Sequence, residues 1–371
     1  MTQRQGKDRT GSVADANRET GKPGPGTSGK PVANGPVFTP HGIGSKRERR
    51  RAIKAARRRA RLRRRILIAT PIAIVVVALG VTGIIFAVQQ PSVAVTGTFG
   101  KPPKVTIPKI KPPATLQVKD LIDGHGGSIQ RSSLAVVDLT GYTWSGTAHK
   151  QVLSSFSSGQ PLGLPIGRTI PGLDKSLVGK KAGSRVLLSI PPKDGFGSTG
   201  NQQLGVKGSD TVVFVVDVLG TYSKTASAHG QQQPAGNPGL PSVSAAAAGS
   251  APSVVIPKAV PPATLQAKTL IQGTGPQVGK GKLLVAQYEG LIWRTGKVFD
   301  SSWQHGAPVA FPIGAGKVIP GWDQGLVGQR VGSRVLLVIP PKQGYGSQGN
   351  PQAGIKGTDT LTFVVDIVGT Y

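Results

Sequence analysis

The chain has 371 residues, room for two or three domains at about 100–200 residues each. It contains no cysteine, which excludes a disulfide framework, thiolate catalysis and Cys-ligated zinc. Its net charge is +29 and unevenly placed: residues 1–65 hold 19 Lys/Arg against 4 Asp/Glu.

Residues 1–45 are rich in Gly, Pro, Ser and Thr and lack a hydrophobic period, so they are predicted to be a disordered cytoplasmic tail. The run 46–65 (KRERRRAIKAARRRARLRRR) has thirteen basic residues and one acid, Glu48. Residues 66–88 follow without a charge, and 23 uncharged, mostly apolar residues are long enough to cross a bilayer as a helix. Basic flanks stay cytoplasmic, so the expectation is a single-pass cell-membrane anchor with its N-terminus inside and residues 89–371 outside. The alternative is a cleaved signal peptide with Ala87 or Ala94 at the cut, although the apolar run exceeds the usual 7–15 residues. The basic run 46–65 is expected to meet anionic lipid headgroups. Nucleic acid is the less favoured partner, because no aromatic residue is interleaved with the arginines. Residues 89–106 read as a spacer. Residues 223–253, rich in Ala, Gly, Ser, Pro and Gln, read as a flexible linker that lets its flanks move almost independently.

The remaining chain is one stretch written twice. IPKIKPPATLQVKDLI begins at Ile107 and IPKAVPPATLQAKTLI at Ile256; FVVDVLGTY begins at Phe214 and FVVDIVGTY at Phe363. The offset is 149 residues at both ends, too long for a solenoid repeat, so a whole domain is duplicated as 107–222 and 254–371. Gly, Pro, Val and Thr dominate, which favours short strands joined by turns. In the second copy 282–288, 334–339 and 360–368 read as strands and 320–326 as a short helix. This predicts an α+β fold, an antiparallel sheet with one helix.

The second copy carries Tyr288-Glu289-Gly290, then GKVFDSS (296–302), VIPGWD (318–323), and Ile339-Pro340-Pro341 followed by Gly344-Tyr345-Gly346. In order and spacing this resembles the FKBP-type peptidyl-prolyl cis-trans isomerases over about 262–371. The resemblance implies an antiparallel sheet wrapped on one short helix, with no large inserted flap. It implies a pocket of Tyr288, Phe299, Asp300, Phe311, Val318, Ile319, Trp322, Tyr345, Ile355 and Phe363. Of these, Tyr288, Phe299, Asp300, Trp322 and Tyr345 are the expected catalytic set, and Phe311, Val318, Ile319, Ile355 and Phe363 the expected substrate contacts. Trp322 matches the pocket floor, Ile319 a backbone N–H that binds a ligand carbonyl, and Tyr345 a phenol at the rim. Proline-containing polypeptides and macrolides are the implied ligands. Val309 departs from the pattern where many members have an aromatic, and Asn350 where His is common.

By their residues alone, some positions read two ways. Asp300 before Ser301-Ser302 suits a turn or a site, and Phe363 suits plain core or a pocket wall. His305 reads as a solvated loop residue without metal partners, and no metal site or cofactor is expected. The first copy keeps the frame and loses the pocket: Leu139, Val152, Leu153, Leu173 and Phe196 stand at the places of Tyr288, Phe299, Asp300, Trp322 and Tyr345. The sequence therefore predicts an isomerase whose second domain catalyses X–Pro rotation in exported proteins, beside a degenerate twin. The competing class is a peptide-binding module with little catalysis, and a third is a regulatory role for the basic segment.

Overall fold

The computed structural model describes residues 92–234 and 238–371. The tail 1–45, the basic run 46–65 and the apolar stretch 66–88 lie outside the described residues. Among the described residues, no helix is long and apolar enough to cross a membrane.

The strands run in chain order as β1 (Ala94–Thr96), β2 (Lys104–Thr106), β3 (Gln117–Ile122), β4 (Leu134–Ser145), β5 (Ala148–Ser154), β6 (Leu162–Pro165), β7 (Arg185–Ile190) and β8 (Thr211–Tyr222). Then come β9 (Gln231–Gln232), β10 (Ser242–Val243), β11 (Val254–Val255), β12 (Gln266–Gln272), β13 (Leu283–Ile292), β14 (Val298–Ser301), β15 (Val309–Pro312), β16 (Arg334–Ile339) and β17 (Leu361–Thr370). The first repeat is an antiparallel sheet ordered β3-β7-β8-β4-β5, with β6 on β4. The second is β14-β13-β17-β16-β12-β9, with β15 on β13.

Each sheet wraps a seven-residue helix, Pro171–Leu177 or Pro320–Leu326, begun by a proline at the position where a missing N–H costs nothing. The helix over 320–326 is where the sequence predicts it. The expectation of one helix per domain is too simple. Single helical turns, Ser155–Ser158 and Ser302–His305, also follow β5 and β14, ended by Gly159 and Gly306 in the left-handed region.

The strands β7 (RVLLSI) and β16 (RVLLVI) are buried along their whole length. One face packs on the domain's helix. On the other, Arg185 and Arg334 form buried ion pairs with Asp217 and Asp366, Nε to Oδ1 at 2.6 Å in both repeats. Such pairs need further hydrogen bonds to offset desolvation. Residues before each repeat supply them. Gly97 and Lys101 accept from the Arg185 guanidinium at 2.9 Å, and the Gly100 N–H donates to Asp217 at 2.7 Å. The Ala228 N–H donates to Asp366 at 3.0 Å.

The stretches read as spacer and linker therefore have defined places among the described residues. Residues 89–106 contribute β1 and β2, whose apolar neighbours Val93 and Ile107 bury against Trp144. Residues 223–253 contribute β9, which pairs with the end of β12, and β10, which pairs with β11. Composition alone hides this, because short polar strands are held by main-chain bonds.

The two repeats also share a seam. Leu134 and Val136 on β4 point away from their own core and bury against Leu283 and Val285 on β13. Tyr222 and Tyr371 meet edge to face with hydroxyls 2.8 Å apart. Each hydroxyl lies over a glycine of the other repeat. A Cβ at Gly220 would sit 1.8 Å from the Tyr371 hydroxyl, and one at Gly369 would sit 2.1 Å from that of Tyr222. Four buried aliphatic side chains at about 2 kcal/mol each make this a substantial contact. The near-independent motion expected of the domains does not match it. The signal was in the sequence as apolar residues on both faces of β4 and β13.

Candidate functional site

On β13 the alternation of side chains turns Leu284, Ala286 and Tyr288 inward. Gly290 comes next on that face. A Cβ there would lie 2.7 Å from both the Phe299 and Phe363 rings, so glycine lets those rings meet, 5.5 Å apart and nearly perpendicular. Trp322 is the third residue of the helix, which approaches β16 closely because Gly321 faces Ile339; a Cβ at Gly321 would meet it at 2.5 Å. The indole then stands edge to face with Tyr288 (5.3 Å), Phe311 (5.4 Å) and Phe363 (5.4 Å), the arrangement ring quadrupoles favour.

These rings form the base of an open cavity of about 410 Å³ lined by Tyr288, Phe299, Asp300, Phe311, Gly316, Lys317, Val318, Ile319, Trp322, Tyr345 and Phe363. Nine of the ten residues expected at the site line it. Ile355 does not: it is buried in the core cluster and bridges to Asn350. It supports the pocket from behind because its strand-like bridge turns the side chain into the core. Asn350 caps the turn Pro351–Ala353 by accepting from the Ala353 N–H. Val309 packs on the core beside the cavity.

Two lining residues, Gly316 and Lys317, escaped the sequence reading. They belong to a loop shaped by Asp323, whose carboxylate accepts from the Gly314 N–H at 2.6 Å and the Gly316 N–H at 2.8 Å. The sequence signal was the acid one residue beyond Trp322.

The polar edge of the cavity is built from Tyr288 and Asp300. The Tyr288 phenol donates to Asp300 Oδ2. Burial, reinforced by that carboxylate, pushes the phenol far above the ordinary tyrosine range, so it stays protonated. Ser302 locks the pair's backbone: its hydroxyl accepts from the Tyr288 N–H at 2.8 Å and donates to Gln287 at 2.6 Å. Asp300 lines the cavity, and its strand runs directly into the helical turn Ser302–His305. His305, read as a solvated loop residue, is half exposed but brings Nε2 to 3.6 Å from Asp300 Oδ1. Tyr345 stands partly exposed at the rim. The Ile319 N–H lies just before the helix, among the amides the helix itself leaves unused. Among the described residues no group of three or more His, Cys, Asp or Glu is placed to hold a metal.

In the first repeat, Leu139 and Leu173 are buried and pack with Val152, Leu153, Leu164 and Phe196 in one hydrophobic cluster. The frame persists, since the Leu139 N–H still donates to Ser155 at 2.9 Å. The polar edge does not.

FKBP_C, the FKBP-type peptidyl-prolyl cis-trans isomerase family, matches at residues 126–219 and again at 275–368. The chain is 43% identical over 117 residues to an FK506-binding protein of Streptomyces anulatus, covering 32% of this chain and 94% of that protein. It is 47% identical over 92 residues to the peptidyl-prolyl cis-trans isomerase FKBP15-1 of Arabidopsis thaliana, covering 25% of this chain and 59% of that one. The crystal structure of AtFKBP13 is 37% identical and covers 30% of this chain and 97% of its own, with a TM-score of 0.28. With one match in each repeat, this chain belongs to the FKBP-type peptidyl-prolyl cis-trans isomerase family.

Proposed function

We propose that the second repeat alone catalyses X–Pro rotation and that the protein, tethered by residues 66–88 with its repeats outside the cell membrane, assists the folding of exported proteins. The observation that carries the division of labour is the contrast between the repeats. One has Trp322 edge to face with three rings at the base of a cavity with a Tyr288–Asp300 edge, and the other has Leu173, Leu139 and Leu153 at the places of Trp322, Tyr288 and Asp300.

Rotation about an X–Pro bond crosses about 18–20 kcal/mol because it breaks amide resonance, and unaided it takes tens of seconds or more. No nucleophile, metal or proton transfer is required. The twisted amide has a more ketone-like carbonyl and a more amine-like nitrogen. Trp322, Phe311 and Phe363 enclose the proline ring away from water. The Ile319 N–H and the Tyr345 hydroxyl at the rim donate to carbonyls of the bound chain. The Asp300–Tyr288 pair sets the field at the edge where charge redistributes. Asp300 acts by orientation and electrostatics. The same cavity would take macrolides of the kind named for the Streptomyces anulatus relative, FK506. The basic run 46–65 would hold anionic headgroups.

A peptide-binding role has one observation in its favour: the first repeat keeps its frame without the polar edge. The two readings separate in the full-length protein. The wild type accelerates isomerisation of a short X–Pro peptide, and a Tyr288→Leu, Asp300→Leu variant, which makes the second repeat resemble the first, does not. Undiminished catalysis by that variant would move the activity elsewhere. No acceleration by the wild type would leave the binding module. Release of the protein from membranes by alkaline carbonate would refute the tether.

A further inference from the structure

Beside the isomerase cavity lies a second one, about 340 Å³, that neither repeat forms alone. Its lining includes Arg131 and Arg168 from the first repeat, Lys224 from the connecting segment, and His305 from the second. It contains no carboxylate. All four residues are exposed. Among the described residues, neither Arg131 nor Lys224 has an ion-pair partner. Arg168 donates to the His305 carbonyl at 2.5 Å, which ties the first repeat to the turn Ser302–His305. The two cavities are neighbours, because His305 lines one, Asp300 lines the other, and their side chains are 3.6 Å apart. Lys317 adds a further cation to the lining of the isomerase cavity.

We infer that this seam is a subsite for acidic residues flanking the proline, so that the protein prefers clients carrying Asp or Glu near the X–Pro bond. The inference rests on the second repeat being the isomerase. An extended chain advances about 3.3 Å per residue, so a segment leaving the isomerase cavity past His305 reaches the seam within about two to four residues. There it meets three permanent cations in a lining without a carboxylate; the nearby acids lie outside it, Asp300 facing His305 and Asp174 held by the Gly167 and Thr169 amides. Cations left unpaired at the rim of a cavity attract an oppositely charged segment and orient it before contact. The first repeat thereby acts on substrate choice without having a pocket of its own. Arg168 sits on a loop, 166–170, that is two residues shorter than its counterpart 313–319 in the second repeat.

The test uses the full-length protein and X–Pro peptides of equal length with Glu, Gln or Lys at the second to fourth positions, on either side of the proline. At low salt the Glu peptide on one side should show kcat/KM about three- to tenfold above its Gln counterpart, the size expected of two or three exposed charge contacts. The ratio should fall towards one in an Arg131→Gln, Lys224→Gln variant, and in the wild type at about 0.5 M salt, where screening shortens to a few ångströms. An Arg131→Glu variant should turn the preference towards Lys. A ratio near one in the wild type overturns the inference. So does a Glu preference that the double variant leaves intact, which would assign it to the general positive field of the chain. Failure to accelerate even the Gln peptide would instead refute the isomerase reading, and this one with it.

Discussion

Trp322→Leu places in the second repeat the residue that the first already has at 173. Trp322 is 4% exposed and touches three rings at 5.3–5.4 Å. Leucine refills only part of the space. The stability lost is therefore below the 3–5 kcal/mol of a full Trp→Ala truncation, at about 2 kcal/mol, or a Tm lower by about 5 °C. Activity should suffer more. A proline ring offers three methylenes at about 0.8 kcal/mol each when fully buried. Removing the floor forfeits about half of that or more, close to the 1.4 kcal/mol that makes a tenfold change in kcat/KM. The assay is isomerisation of an uncharged X–Pro peptide by the full-length variant, with Tm and near-ultraviolet circular dichroism measured on the same sample. A folded variant that retains more than half of wild-type kcat/KM would refute the assignment of Trp322 as the floor.

Glu289 is buried on β13, and burial raises its carboxyl above the ordinary range. The folded pKa then exceeds the unfolded one, so the charged form costs stability above that window and nothing below the unfolded value. Glu289→Gln should raise Tm at neutral pH, with the advantage vanishing below about pH 4; an advantage that grows on acidification would reverse the sign of this argument. Gly220→Ala puts a methyl 1.8 Å from the Tyr371 hydroxyl. It should cost about 1–3 kcal/mol and loosen the seam, read as lower urea midpoints and faster amide exchange along β4 and β13, whereas an unchanged midpoint would mean the repeats do not depend on this contact.

Much of the second repeat was legible in its sequence. RVLLVI reads as a buried strand because six consecutive apolar or paired residues have no other home, and the helix 320–326 is announced by proline at its first position. The convergence of Tyr288, Phe299, Trp322 and Tyr345 was legible only through the family spacing, since an isolated aromatic is usually core. Leu173 and Leu153 announced the loss of the first pocket in the same way.

Other features needed the fold. Ile355 and Phe363 look alike on the page; a β-bridge turns one into the core, and strand register turns the other to the cavity. The ion pairs Arg185–Asp217 and Arg334–Asp366 span 32 residues, and their caps come from segments whose composition resembles linkers. The role of Asp323 depends on amides bent back to it by the loop 314–316. The duplication, the strand-rich class and the copy that keeps a polar aromatic pocket are all written in the residues, because they depend on local pattern and on residue identity. How the copies touch, and the gathering of cations from three segments at His305, emerge on folding, because such contacts join residues far apart in the chain, whose meeting no local period encodes.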